Sequence, residues 1–423
     1  MKLTKLSLIA ALAVTTAMAG DAKISGDAKV FYSTDDSGTN DFFSKGGAIG
    51  DAAVGLDYTR DVLDGVTLNL GVTGVSTLGL ENNLVSGTWV NHGHDTAPGQ
   101  VGNSLAGTGG VKDQIWIDTA NIVVKPIDKT MLVVGRQALD TPLAFTETWN
   151  VAPNTFDAAV MVDNHLEKTT LVAAYVGRGN GHDGFADSNT SGGFGSGNFV
   201  AYGATSNANH TVLGAPSTLD KGAYAVAAVT KLIPMTTAQV WWYNVRNEAD
   251  AVWVQADVAP VKDVTVGGQF SRIMPKGAAA AFADTKAYAG KVGYSVAGFD
   301  LAGAFSRVEN TGGVYMGNTA TGGPLGGQSK LYTEAWWNYN FVGQPGAKTS
   351  MISANYGDFG AQYTHVDNTK NPSSSAQDLD EVTLTANKKV GPVDATVAYI
   401  NTKINHVRTD ALQAYLTVPF SLN

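Results

Sequence analysis

Apolar and polar residues alternate along most of the chain from residue 22 onward, the pattern of strands with one apolar face. The first such segment carries the apolar row Ala22, Ile24, Ala28, Val30 and Tyr32. Its length of about eleven residues suits a tilted membrane strand, since strands of soluble sheets usually have ~5–6 residues. Aromatic residues end several of the rows, as they do in the girdles of membrane barrels.

The alternation predicts eighteen strands along the chain. Their spans are 22–32, 51–59, 65–75, 113–124, 130–137, 156–163, 169–177, 222–232, 236–247, 249–258, 262–272, 285–296, 299–308, 330–341, 349–366, 379–388, 392–402 and 409–420. The segment 349–366 changes parity near Gly357-Asp358, which we interpret as a bulge within one strand. Splitting it there would give an odd number of strands.

The connections between these strands sort into two kinds. Short ones, such as Arg60–Asp64 and Lys125–Lys129, follow the even-numbered strands. Long connections rich in glycine and asparagine follow most odd-numbered strands, at 33–50, 76–112, 138–155, 178–221, 309–329 and 367–378. The fifth, near Asn247–Glu248, is very short. Short turns at one end and long loops at the other are typical of bacterial outer-membrane barrels.

We therefore predict an all-β fold, a transmembrane antiparallel β-barrel of about 18 strands with short periplasmic turns and long extracellular loops. A closed barrel leaves no unpaired strand edge in hydrocarbon, where each unpaired backbone group costs several kcal/mol. A soluble secreted β-sandwich or β-helix array is the alternative, although no repeat of about 20–50 residues supports an array.

Composition narrows the classes of protein. Only 15% of the residues are charged, 49 are glycine and none is cysteine. The absence of cysteine excludes disulfides, thiolate metal sites and a cysteine nucleophile. A sequence pI near 5.2 argues against a nucleic-acid-binding protein, which normally carries a basic surface.

The first nineteen residues have the pattern of a signal peptide. Lys2 and Lys5 precede an apolar run, and Ala17-Met18-Ala19 supplies a cleavage site, so we predict removal of 1–19 and a single barrel domain over 20–423. An uncleaved anchor is the alternative. Removing the two lysines from 28 basic residues leaves 26 against 37 acidic, a mature net charge of −11. The prediction places the protein in the outer membrane of a Gram-negative bacterium.

Two segments around the third long connection resemble the OprD-like porins, and most of all the campylobacterial major outer membrane protein. They are Gly135–Pro142 (GRQALDTP) and Pro153–Asp157 (PNTFD). The resemblance implies an eighteen-strand barrel, a third loop (138–155) that folds inward as a constriction, and a homotrimer. OprD-like relatives guide carboxylate substrates with a ladder of arginines, but this chain offers few, among them Arg136, Arg272 and Arg307.

Charged residues at two kinds of position are the candidate pore-lining groups. Strand facing predicts that Lys23, Asp27, Lys29, Asp118 and Glu334 point into the lumen, opposite the apolar rows. The region of the resemblance and its loop add Arg136, Asp140, Glu147 and Asp157 as constriction residues. Carboxylates favour cations, so the acidic balance predicts a weak cation preference.

The sequence contains no G-x-S-x-G, Walker, G-x-G-x-x-G or H-E-x-x-H motif, so we predict no enzymatic activity. We predict a porin that needs no cofactor and passes ions and small hydrophilic solutes, with outer-membrane lipid around it. A Ca²⁺ ion held by loop carboxylates stays open as a hypothesis, with oxygen ligands at Asp183, Asp187, Asp367, Asp378, Asp380 and Glu381. A substrate-selective channel, an adhesin that works through 76–112 and 178–221, and an outer-membrane hydrolase are the rival functions.

Overall fold

The computed structural model describes residues 22–38, 40–86, 114–180, 200–201, 222–311, 314–321, 327–368 and 378–422. The predicted signal peptide, 1–19, lies outside them. The strands are β1 (Lys23–Asp35), β2 (Ala48–Leu63), β3 (Val66–Ser76), β4 (Gln114–Ile127), β5 (Thr130–Gln137), β6 (Phe156–Asp163), β7 (Thr169–Gly179), β8 (Val200–Ala201), β9 (Ala223–Thr230), β10 (Thr236–Val245), β11 (Ala249–Val258), β12 (Val264–Pro275), β13 (Thr285–Val296), β14 (Phe299–Val308), β15 (Lys348–Tyr356), β16 (Phe359–Asp367), β17 (Leu379–Val390), β18 (Val393–Ile404) and β19 (Val407–Ser421).

Helical structure in these ranges is confined to single turns in the connections. Four 3-10 turns are present, at Lys45–Gly47, Leu80–Asn82, Gly277–Ala279 and Tyr339–Phe341. No helix of the described ranges has the length and apolar character that a membrane crossing needs.

The strands form one closed antiparallel sheet. Each strand pairs with its neighbours in the chain, and β1 pairs with β19 as well as with β2, which closes the ring. The two-residue β8 pairs only with the end of β7, while β7 pairs directly with β9. Eighteen strands therefore make the wall of the barrel, as the alternation predicts. Closure satisfies the backbone groups that an open edge would expose to lipid.

Side chains on the two faces of the wall differ as the alternation predicts. On β2, Val54 and Leu56 are 48% and 45% exposed. In the opposite row of the same sheet, Ala53 on β2 and Phe31 on β1 are buried. The exposed apolar row covers the outside of the barrel, where lipid would contact it. The inner row is polar or packs against loops inside the lumen.

Replacing Ile352 by lysine is expected to destabilise the barrel. Ile352 lies at the centre of β15, is 61% exposed and belongs to the outward row, and a lysine on the lipid face near the bilayer midplane costs about 2–4 kcal/mol. The matched variant Asn355→Lys, three residues away on the inward row, should change the free energy of unfolding much less. Urea unfolding in lipid vesicles measures both, and equal losses would contradict the facing described here.

Two predicted strands are wrong, and the errors cancel in the count. Residues 330–341 form no strand but belong to a long connection, 309–347, that contains the turn Tyr339–Phe341. The segment 349–366 is two strands, β15 and β16, which are joined at Gly357-Asp358. Gly357 has φ 56°, a left-handed conformation that glycine adopts at tight turns without steric cost. The predicted bulge is therefore a hairpin turn.

The connections differ in length between the two ends of the barrel. At one end they are tight turns, including 64–65, 128–129, 297–298, 357–358 and 391–392. At the other end the described connections include 36–47, 138–155, 276–284 and 309–347, with very short ones at 246–248 and 405–406. Most of the predicted loops 76–112 and 178–221 lies outside the described residues.

Candidate channel constriction

The third loop, residues 138–155, connects β5 to β6 and crosses the lumen; we call it the constriction loop. Its first part joins one buried apolar cluster with the inward side chains of β10 and β11, which includes Leu139, Leu143, Trp241 and Trp253. Its second part packs with the inward side chains of β1, β2 and β4 in a cluster that includes Val151, Ala152, Phe31, Ile49 and Trp116. These two groups of strands lie well apart around the barrel, so the loop bridges the lumen.

A second connection is residues 309–347, which we call the seventh loop; its described residues, 309–311, 314–321 and 327–347, include segments that pack inside the barrel. Its Trp336 and Trp337 pack against the inward side chains Ala398, Ile400 and Ala411. Trp336 also donates from Nε1 to Gln413 Oε1 at 3.2 Å. The seventh loop therefore covers part of the wall at β18 and β19.

One carboxylate of the wall anchors the seventh loop. Glu381 on β17 is 1% exposed and accepts hydrogen bonds from the backbone N–H of Trp336, Trp337 and Asn338 at 2.7, 3.1 and 2.8 Å. The Asn338 side chain donates to the same carboxylate at 2.8 Å. These donors around one buried carboxylate compensate its loss of hydration and fix the backbone of the loop.

The two loops are joined by buried polar contacts that we call the loop clamp. Asn318 of the seventh loop donates to the Phe145 carbonyl at 2.8 Å and to Glu147 Oε1 at 3.1 Å, and its Oδ1 accepts from the Phe145 N–H at 3.1 Å. The Thr321 hydroxyl donates to Glu147 as well. Trp149 donates to Gln328 Oε1 at 2.8 Å. The sequence predicts Glu147 as a constriction charge, but the fold buries it between the loops.

Burial changes the acidity of both loop glutamates. It raises the pKa of Glu147 to about 6, although hydrogen bonds from Thr321 and Asn318 and the charge of Lys330 act in the opposite direction. Burial also raises the pKa of Glu334 well above its usual range. Glu334 accepts from the backbone and side chain of Ser329, at 3.0 Å from the N–H. It lies in the seventh loop rather than on a strand, so its predicted position on the barrel wall is wrong.

The loop clamp is expected to weaken as the pH rises through the pKa of Glu147. The folded pKa of about 6 lies above the ordinary 4.5, so folded protein binds more protons than unfolded protein in this window, and stability is lost between about pH 4.5 and about pH 6. The difference of about 1.5 units corresponds to ~2 kcal/mol. Hydrogen exchange of the amides of 139–147, corrected for intrinsic rates, should show greater protection on the acid side of this window.

The variant Glu147→Gln keeps an acceptor oxygen for Asn318 and Thr321 and cannot ionise. It should show strong protection at both ends of the window. A pH dependence as large as that of the wild type in this variant would assign the effect to another group.

A charged pair that also joins the two loops remains partly exposed. Lys330 of the seventh loop contacts Asp140 of the constriction loop at 2.7 Å, and its ammonium group lies 4.3 Å above the Phe145 ring. The Gln269 side chain on β12 donates to the Lys330 carbonyl at 2.9 Å. Asp140 and Lys330 therefore form a partly exposed ion pair between the two loops.

A group of acidic side chains lines the wall at β1 to β4; we call it the acidic wall. Asp118 on β4 accepts from the Thr73 hydroxyl, and Asp118 and Asp57 both lie beside the space above Gly71. Asp27 and Lys29 lie on the same inward row and form an ion pair at 3.3 Å. A Cβ at Gly71 would lie 2.5 Å from Asp118 Oδ1 and 2.8 Å from Asp57 Oδ1, so glycine leaves room for the two carboxylates.

The wall at β11 to β13 carries a site of mixed charge that no sequence pattern predicts. Lys291 contacts Asp257 at 2.7 Å, and Tyr332 of the seventh loop donates to the same carboxylate at 2.9 Å. The Lys291 ammonium group lies 4.0 Å from the centre of the Tyr332 ring. This site, the acidic wall and the Asp140–Lys330 pair together contain five carboxylates and three ammonium groups. The carboxylates are Asp27, Asp57, Asp118, Asp140 and Asp257, and the ammonium groups are Lys29, Lys291 and Lys330.

The register places Arg136 and Asp157 in the outward row, which corrects their predicted place on the lumen wall. Leu70, Ala120, Arg136 and Asp157 are successive cross-strand partners, and Leu70 is 42% exposed on the outside. Arg136 contacts Asp157 at 2.8 Å, and Arg178 contacts the same carboxylate at 2.9 Å. The reason is the period of two, because paired residues share one face of the sheet.

Lys23 starts β1 at the end with the tight turns, where it pairs with Thr59. The residues that the structure describes contain no group of three carboxylate, imidazole or thiolate side chains that suits a metal ion. Asp183 and Asp187, two of the carboxylates considered for Ca²⁺, lie outside the described residues.

Comparisons with known proteins bear on the fold. No family model matches the chain, and no curated protein matches it either. Solved structures from Pseudomonas aeruginosa do match. OpdO aligns over 95% of this chain and 98% of its own, with a TM-score of 0.66 and 14% identity. OccD3 (OpdP) aligns over 96% and 93%, with a TM-score of 0.65 and 13% identity.

OccK8 (OprE) aligns over 95% of this chain and 99% of its own, with a TM-score of 0.66 and 13% identity. These structures are porins of the OprD-like group with eighteen strands in the barrel. Identities this low establish the fold alone. The chain therefore has the closed eighteen-stranded barrel fold of the OprD-like porins.

Proposed function

We propose that the chain is an outer-membrane porin through which ions and small hydrophilic solutes diffuse down their gradients, with a weak cation preference. The observation that carries this proposal is a closed eighteen-strand barrel with an apolar outside and a charged lumen narrowed by two inward loops. An eighteen-strand barrel is too wide for its wall side chains to fill, so loops and water occupy the interior. The acidic excess among the lumen charges supports the cation preference.

Several further points belong to the same proposal. Export by a signal peptide over 1–19, a homotrimeric assembly and kinship with the campylobacterial major outer membrane protein are supported by sequence patterns and by the segments 135–142 and 153–157. We propose no catalysed reaction for the chain. Solutes cross without a covalent step, and the residues described here supply only size and charge selection.

Liposome swelling tests the diffusion function. Purified protein in vesicles should admit small uncharged sugars at rates that fall smoothly as solute size increases. Protein-free vesicles and vesicles with heat-unfolded protein are the controls. Folded, inserted protein that admits no sugar would contradict the proposal.

A substrate-selective channel is the second candidate, since two loops rather than one narrow the lumen. The acidic wall lies on β1 to β4, whereas Lys291 and Lys330 lie on other parts of the lumen lining. Carboxylates on one wall and the two lysine ion pairs, Lys291–Asp257 and Lys330–Asp140, on the other parts of the lining would orient a solute that carries both signs. Selectivity predicts that one zwitterionic or charged solute blocks ion current at low concentration, whereas diffusion predicts no saturable block.

A further inference from the structure

Four cations lie next to each other on the outside of the barrel, at the end with the long loops; we call them the outer basic patch. They occupy four neighbouring strands, β12 to β15, and are Arg272, Lys286, Arg307 and Lys348. The register pairs Arg272 with Lys286 and Arg307 with Lys348. Their chain neighbours are buried on the inner face, including Ile273, Ala287, Ser306, Val308 and Thr349. Because strand neighbours alternate, the four cations face outward.

Aromatic residues mark the level of this patch. Phe270 lies two residues before Arg272 on β12, and Tyr288 lies two residues after Lys286 on β13, both in the outward row. Their ring centres are 5.3 Å apart. Phe305, also outward and 50% exposed, precedes Arg307 on β14. Aromatic girdles of membrane barrels lie at the interface with the lipid headgroups. The basic patch lies one step beyond the girdle and thus at the level of the headgroups.

The carboxylates near the patch leave one cation uncompensated. Arg272 pairs with Asp284, Lys286 pairs with Glu309 at 3.5 Å, and Lys348 pairs with Asp367 at 3.5 Å. Arg307 is exposed and makes no ion pair with any residue that the structure describes. It lies directly opposite Lys348, and like charges in this position destabilise a sheet.

We propose that the outer basic patch binds a phosphate group in the headgroup of an outer-leaflet lipid, centred on Arg307 and Lys348. Directly opposed residues have Cα atoms about 4.5–5.5 Å apart, so both side chains can reach one phosphate. A guanidinium group binds phosphate through two parallel hydrogen bonds, and an ammonium group adds a compact charge. A phosphate bound between the two cations attracts both of them and offsets their mutual repulsion.

The site rests on the proposed outer-membrane location, but it takes no part in conduction. A phosphorylated lipid fits better than a second copy of this chain. The residues paired directly with Arg307, Tyr288 and Lys348, carry no carboxylate, and Glu309, two residues further along the same outward row, is engaged by Lys286.

The test measures retention of lipid A by the purified full chain, using native mass spectrometry in detergent. Wild-type protein should retain bisphosphorylated lipid A, and the same lipid without its phosphates should be retained about tenfold less. The variant Arg307→Gln should lower retention of the phosphorylated lipid by about tenfold. Inorganic phosphate, added in excess, should displace the lipid only weakly if the lipid is the ligand.

The control is Arg60→Gln, which removes an exposed arginine from the outward row of β2 at the other end of the barrel. Its lipid A retention should equal that of the wild type. Equal retention by Arg307→Gln and Arg60→Gln, or equal retention of lipid A with and without its phosphates, would overturn the proposal.

A change of oligomeric state in Arg307→Gln without loss of lipid would assign the patch to a second copy of the chain. Complete displacement of lipid A by free phosphate would assign the patch to the inorganic ion. Conductance should be unchanged in both variants, so loss of the porin function and loss of this site are separate results.

Discussion

Replacing Glu381 by alanine is expected to release the seventh loop and to raise the single-channel conductance well above that of the wild type. The carboxylate accepts hydrogen bonds from three consecutive backbone N–H groups, those of Trp336, Trp337 and Asn338, and from the Asn338 side chain. Hydrogen bonds to a charged group contribute about 1.5–3 kcal/mol each. Losing even two of them changes the ratio of docked to undocked loop by about 100-fold.

The barrel itself should survive this change, because the strand pairing of β17 with β16 and β18 involves its backbone rather than the Glu381 carboxylate. The matched control is Asp380→Asn. Asp380 is the preceding residue, faces outward and contacts Tyr363 and His365 at 2.7 and 2.8 Å. Its variant should conduct like the wild type. A folded Glu381→Ala protein with unchanged conductance and current noise would show that the carboxylate does not hold the loop.

The double variant Asp57→Asn with Asp118→Asn is expected to abolish most of the cation preference. It removes two of the five lumen carboxylates named above and leaves three against the three ammonium groups named with them, with nearly unchanged side-chain volume. In a salt gradient the reversal potential should move from the cation sign toward zero. The shift should be larger at low ionic strength, since the Debye length is ~10 Å at about 0.1 M salt and shorter above it.

Lys291→Gln provides the opposite change from the other wall. It should increase the cation preference, because it removes an ammonium group and leaves Asp257 with the Tyr332 hydroxyl as partner. Shifts of the same sign in the acidic double variant and in Lys291→Gln would contradict the assignment of selectivity to these side chains.

The barrel could be predicted from the sequence because its cause is local. Each strand lies between lipid and lumen, and that division repeats every two residues, as in Ile24, Val30 and Tyr32 on β1. The same alternation gave a wrong prediction of a strand at 330–341. A loop inside the lumen also has one side against the wall and one side toward polar groups, so Leu331 and Ala335 are buried in an alternating pattern without forming a strand.

The interior contacts could not be predicted, because they join residues far apart in the chain. Asn318 and Glu147 are separated by 171 positions, and no local period relates them. Asp57 could have been predicted as a lumen residue, since it lies on the polar row of β2 that faces the same way as Asp27. The position of Arg136 was inferred from a resemblance, whereas the register with Leu70 and Ala120 determines its side of the wall.

Single-channel recording in a planar bilayer tests the central claim, that this barrel is a water-filled pore with an acidic lining. Refolded protein that begins at residue 20, added under a salt gradient, should give stepwise currents that scale with bulk salt and a reversal potential of cation sign. Steps in groups of three would agree with a trimer. Protein shown to be folded and inserted that carries no current would contradict the porin function, and a reversal potential of anion sign would contradict the acidic lining.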